Sequence, residues 1–175
     1  SSGFHPMPRI IFYDALPVGM ESLDETCDIE LISPMAAQTV IERTAPCLPE
    51  GIHIKQVQEI ALKSNPVAGK IRKYLISFPE SPRICVPDVA ARARALQQLS
   101  EAESFPVRTQ KKGKPVDVDV KSHITSLQLN EHGDLLMELP YSVTKLPKAV
   151  EIVTQLLDLD EQSSMGLHII KLGHS

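Results

Sequence analysis

Two groups of side chains in this sequence have types and spacings that could do chemistry. The first lies in GFHPMPR, where His5 stands beside Pro6, Pro8 follows, and Arg9 comes next; Glu21 and Ser22 lie beyond the next apolar run. Proline fixes φ at about −65° and holds a loop in shape. A histidine and an arginine held that way could face a phosphate or share an acid–base step, with Glu21 and Ser22 as polar neighbours. The plainer reading is a rigid turn set by packing. One histidine does not make a catalyst, and no residue is assigned a catalytic role.

The second group is Arg108, Lys111, Lys112 and Lys114, placed around Gly113 with no acid between Ser104 and Val116. Positive charges on a flexible turn can grip a nucleic-acid backbone in a salt-dependent way. The alternative is a solvated hairpin tip. The surrounding charge favours an anionic partner: residues 66–115 carry ten Lys and Arg against four acids, whereas residues 20–50 carry seven acids against Arg43 alone. The two stretches could equally attract each other. Aromatic residues spaced to stack bases are missing from the pattern, since Tyr74 and Phe78 read as core.

Other candidates are weaker. Asp117 and Asp119 share one face of an alternating run, the spacing of a metal-binding or acid–base pair, although the wet side of a sheet looks the same. Cys27, Cys47 and Cys85 are odd in number and widely separated, so neither a disulfide framework nor a zinc site follows. Cys27 alternates with Ile29 and Leu31 and is expected as a buried, inert thiol. His53, His123, His132, His168 and His174 have no ligand spacing. No metal or cofactor is implied: the chain has no cluster-binding cysteine motif and no glycine-rich nucleotide loop.

The elements that must position these residues are legible in the patterning. With 175 residues, 42% hydrophobic and 23% charged, a chain of this size buries roughly 70% of its unfolded surface. Its four Phe, three Tyr and no Trp make that core aliphatic. No apolar run approaches the roughly 20 residues of a membrane span, and no charged leader precedes an apolar stretch, so the expectation is a cytoplasmic protein with no membrane partner.

Residues 9–16 and the alternating 26–33 read as strands. Ser33 and Pro34 open a helix over 34–45, and Ile52, Ile54 and Val57 alternate as a further strand. The stretch IRKYLISF reads as a strand, and Asp88 caps a helix over 88–103 whose buried stripe is Val89, Ala93, Leu96 and Leu99. Val116, Val118 and Val120 alternate with acids, two strands flank a turn at His132 and Gly133, and a helix over 147–158 precedes the closing strand GLHIIKL. Ala149, Ile152, Val153 and Leu156 form that helix's inner face.

This order predicts an α+β fold of two ferredoxin-like (split βαβ) units, an incomplete one over 1–62 and a second over 63–175. The first unit is expected to lack its opening strand and helix, as if the chain began mid-domain. That would leave a strand edge unpaired, at 9–16 or 52–57, and open a route to a dimer.

The segments GFHPMPRIIFYDALPVGMES, CDIEL, LPEGIHI, RTQKKGKPVDVDV and MGLHIIKLG resemble, in order and over most of the chain, an uncharacterised bacterial radical SAM-linked domain of unknown function. That domain is found fused to, or encoded beside, cobalamin-binding radical SAM proteins, and its members carry a further strand and helix upstream. The resemblance implies an accessory role beside a radical SAM protein, with an RNA or ribosome-related substrate, and no established reaction. Three functions compete. The favoured one is a non-catalytic binding domain that presents a substrate to a radical SAM partner. The second is a metal-independent RNA-processing nuclease with His5 as general base, and the third a purely structural protein-interaction module.

Overall fold

The computed structural model describes residues 9–61, 67, 69–79, 85–141 and 146–174. Its elements are β1 (Arg9–Phe12), β2 (Met20–Ser22), β3 (Cys27–Glu30), α1 (Ala37–Thr44), β4 (Ile71–Ser77), α2 (Val89–Glu101), β5 (Pro106–Lys111), β6 (Lys114–Asp119), β7 (Ser126–Leu129), β8 (Leu135–Pro140), α3 (Ala149–Leu156), α4 (Glu161–Met165) and β9 (His168–His174). The fold is α+β. Among the described residues no helix is long and apolar enough to cross a membrane.

The chain divides into two compact units: Ser1–Tyr13 with Thr26–Pro66, and Asp14–Glu25 with Val67–Ser175. The stretch Asp14–Glu25 therefore packs with the second unit, although it lies inside 1–62.

In the first unit, β1 and β3 form an antiparallel ladder from Arg9 opposite Glu30 to Phe12 opposite Cys27. Among the described residues each of these strands pairs only with the other. Cys27 is exposed, contrary to the expected buried thiol. A two-stranded ribbon has no covering layer for the alternating face to enter, so Ile29 and Leu31 stay exposed too. Burial and the neighbouring Asp28 carboxylate still push the Cys27 thiol up from its ordinary value.

Helix α1 starts three residues later than Ser33 and Pro34 predict. Its N-cap is Ala36, without a side-chain cap bond. It ends where a short 3-10 turn takes over at Ala45–Cys47, with Pro46 unable to continue an α-helical ladder. The expected strand at Ile52–Val57 does not form. Alternation makes a strand only where a neighbour accepts its backbone hydrogen bonds, and none of the described residues does so here.

The second unit carries a five-stranded sheet in the order β2-β9-β4-β8-β7. The pairs β9-β4, β4-β8 and β8-β7 are antiparallel, and β2 joins β9 in parallel. In chain order β4, α2, β7, β8, α3 and β9 run strand, helix, strand, strand, helix, strand, with the first strand central. The apolar faces of β4, β8 and β9 converge on α3, so Tyr74, Ile76, Leu135, Met137, Leu139, Ile152, Val153 and Ile169 form the core. All four residues expected on the inner face of α3 pack there, Leu156 at the margin.

Helix α2 is capped by Asp88, whose carboxylate accepts from the Ala91 N–H at 2.7 Å. Leu99 is buried and Leu96 half-buried as expected, but Val89 and Ala93 are exposed and Arg92 takes the buried place. Arg92 faces inward with its guanidinium face, Nε and Nη1 all partnered. Its guanidinium lies over the Phe78 ring, 4.1 Å from the centroid, Nε donates to Pro87 O at 2.8 Å, and Nη1 donates to Gly133 O. A hydrophobicity pattern cannot register an arginine that is buried this way.

The Asp14–Glu25 stretch is fastened to the sheet by Lys171. The alternation that buries Leu167, just before β9, and Ile169 within it also turns Lys171 inward. Its Nζ lies 2.9 Å from Asp14 Oδ2 and donates to Glu25 at 3.0 and 3.2 Å. Lys171 O accepts from the Leu23 N–H at 2.8 Å. Beside it, Arg72 Nη1 reaches Asp14 Oδ1 at 3.4 Å and Nη2 donates to Pro140 O at 3.2 Å.

Candidate functional site

The basic segment is a β-hairpin rather than the long flexible turn read from its composition. Strands β5 and β6 pair from Pro106 opposite Asp119 to Lys111 opposite Lys114. Only Lys112 and Gly113 form the loop, with φ of 51° and 75°. Positive φ at both positions is the type I′ turn, whose twist matches that of paired strands.

A two-stranded sheet is marginal by itself, and this one is anchored on α3. The Gln155 side chain accepts from the Arg108 N–H at 2.7 Å and donates back to Arg108 O at 3.0 Å. The Thr109 hydroxyl donates to the Glu151 carboxylate at 2.9 Å, and Val107 is fully buried. At the base of β6, Asp119 accepts from the N–H groups of Phe105 and Lys121 at 2.8 and 3.0 Å. These two bonds hold its carboxyl below the usual value. The hairpin base is therefore fixed, and its tip projects on a short, defined turn.

The four basic residues fall into two classes. Arg108 is not an unpaired charge: its Nε and Nη2 donate to the two Asp117 oxygens at 3.0 and 3.3 Å. That fork lowers the Asp117 pKa and raises that of Arg108. Asp117 and Asp119, both exposed on β6, are thus committed to separate structural bonds, in keeping with the wet side of a sheet. Among the described residues no group of His, Cys, Asp and Glu is arranged to hold a metal.

Lys111, Lys112 and Lys114 form no ion pair with any described residue. Lys111 and Lys114 stand directly opposite each other across the ladder, an arrangement that like charges disfavour. Lys112 takes a left-handed conformation in which Asn, Asp or Gly is the easier residue. Three lysines are therefore concentrated at the tip against local preference, and backbone strain of this kind clusters at functional positions.

The loop residues have separate partners. His5, Pro6 and Pro8 lie outside the described residues, and with them the nuclease reading's proposed base. Arg9, in the first unit, pairs with Glu30 at 3.1 Å, both side chains largely exposed. Glu21 and Ser22 belong to β2 of the second unit. Glu21 Oε1 lies 3.1 Å from His168 Nε2, and the Ser22 hydroxyl donates to Glu25 at 2.6 Å.

The residues that sequence reasoning missed are the anchors, Gln155 and Glu151. They are four apart on α3, one turn of a helix, so they share a face. Helical spacing places them together but cannot say that a hairpin lies over them.

A family model described as "Uncharacterized protein conserved in bacteria (DUF2344)" matches residues 1–169. No curated protein and no solved structure matches the chain.

Proposed function

The chain belongs to this bacterial family, Uncharacterized protein conserved in bacteria (DUF2344), and from that premise we propose a non-catalytic accessory domain that binds RNA and presents it to a radical SAM protein. The observation that carries the RNA part is the hairpin tip. Lys111, Lys112 and Lys114 stand without acidic partners among the described residues, and Lys112 occupies a strained turn position. A backbone of phosphates neutralises such a cluster, and a rigid base with long lysines reads charge rather than sequence.

The radical SAM partner rests on the resemblance of the five segments quoted above. The radical chemistry would belong to that partner, and this domain would supply the grip on the substrate. The second unit's strand order, with β4 central between β9 and β8 and β7 at the far edge, supports reading it as a ferredoxin-like split βαβ unit. Sheets of that kind frequently receive RNA.

Capture from native bacterial lysate, with and without ribonuclease, tests this reading. RNA recovered with the untreated protein, and a protein partner bearing a cluster-binding cysteine motif, are the expected results. Capture that recovers neither overturns it.

A further inference from the structure

A single RNA strand is held largely through its bases, which stack on exposed aromatic rings. The second unit offers no Phe or Tyr platform for that. Tyr74, Phe78 and Tyr141 are buried, and Phe105, half-buried at the hairpin base, packs against the core. The hairpin itself, from Pro106 to Asp119, contains no aromatic residue. Because Tyr74, Ile76, Met137 and Ile169 turn toward α3, the sheet face turned away from α3 carries Lys73, Leu75, Leu136, Glu138 and Ile170, and no Phe or Tyr. On that face Lys73 is already paired with Glu138, at 3.2 Å.

The tip offers charge alone. Lys111 and Lys114 stand opposite each other, so their side chains leave one face side by side, on strands about 4.8 Å apart, with Lys112 in the loop between them. Three ammonium groups crowd a tip one hairpin wide. A duplex answers such a tip better than a single strand does. It presents two phosphate rows instead of one, and each contact releases more counterion, with a salt slope of about 0.9 on duplex DNA against about 0.7 on single strands. Its phosphates are also arrayed before binding, whereas a flexible strand must be ordered. The A-form major groove is narrow, which brings both phosphate rows within reach of one tip. In B-DNA that groove is about 12 Å wide.

We propose that the β5–β6 hairpin tip binds double-stranded RNA, laying Lys111, Lys112 and Lys114 across the phosphates that border the narrow groove, without regard to base sequence. This rests on the RNA-binding role proposed above and names the form of RNA. A single strand meets the same lysines and is held more weakly.

The test is fluorescence anisotropy of the full chain at one low salt concentration with four labelled probes: two short RNA duplexes of unrelated sequence, a DNA duplex matching the first, and one strand of that RNA. The two RNA duplexes are expected to bind alike, and about tenfold more tightly than the single strand or the DNA duplex. The double variant Lys111→Ala and Lys114→Ala is expected to lose most of that margin, and Lys73→Ala, on the sheet face, to keep it. Single-stranded RNA bound as tightly as the duplexes, or DNA duplex bound as tightly as RNA duplex, overturns the duplex assignment and leaves RNA binding standing. An unchanged margin in the double variant overturns the placement at the tip. Failure to bind any of the RNA probes overturns both the assignment and the RNA-binding role.

Discussion

Lys171 Nζ lies 2.9 Å from Asp14 Oδ2, with only 2% of the lysine side chain exposed, and this pair fastens the Asp14–Glu25 stretch to the last strand of the sheet. Removing one partner of a buried ion pair leaves the other desolvated without compensation, at a cost of about 3–5 kcal/mol. Asp14 and Glu25 are each about a quarter exposed, so water can relieve part of that cost. Lys171→Met is expected to lower the unfolding free energy by about 2–4 kcal/mol in urea titration. A loss below about 1 kcal/mol would place the pair with ordinary surface ion pairs.

Gly133 is held by two constraints at once. Its φ is +81°, and a Cβ there would lie 2.7 Å from Val89 Cγ2. Gly133→Ala is expected to destabilise the chain by about 1–3 kcal/mol. Adding Val89→Ala should recover the steric part and leave the conformational part. A double-mutant cycle with no coupling between the two sites would show that the contact is not limiting.

The hairpin base gives a pH signature. Asp119 is held below the ordinary carboxylate value of 3.8 by the N–H groups of Phe105 and Lys121. The folded chain therefore binds this proton less readily than the unfolded one. Its contribution is complete above the unfolded value and is lost as the pH falls through the lower folded value. Between about pH 5 and pH 3 the melting temperature of the parent is expected to fall more steeply than that of Asp119→Asn, which keeps an acceptor but cannot titrate. Parallel curves would show that these bonds do not depend on the carboxylate's charge.

What the sequence discloses here depends on how far a residue's partner lies along the chain. Helix α2 and its cap at Asp88 could be read locally, because the capping bond to Ala91 spans three residues. The inward face of Arg92 could not, because it depends on Phe78 and Gly133, one outside the helix on each side. The same holds for the hairpin. Lys112 and Gly113 signal a tight turn, but nothing local shows that Asp117 takes up Arg108 or that Gln155 anchors it. Lys171 lies between these cases: the alternation through Leu167 and Ile169 points it inward, whereas its partners Asp14 and Glu25 lie nearly the whole chain away.

Stability and function should separate at Lys112. Left-handed φ at a residue other than glycine costs on the order of 1 kcal/mol, and asparagine bears it more easily. Lys112→Asn is expected to raise stability by about 0.5–1 kcal/mol and to weaken RNA binding. A variant that is more stable and binds RNA as well as the parent would leave the strained lysine without a role.

The most direct measurement is the salt dependence of binding to a labelled single-stranded RNA, compared between the parent and the triple variant Lys111→Glu, Lys112→Glu and Lys114→Glu. Each phosphate contact on a single strand contributes about 0.7 to the slope of log K against log salt. The triple variant is expected to fold normally, to bind at least tenfold more weakly at low salt, and to lose about two units of slope. An unchanged affinity and slope in the triple variant, or no RNA binding by the parent at low salt, would contradict the account.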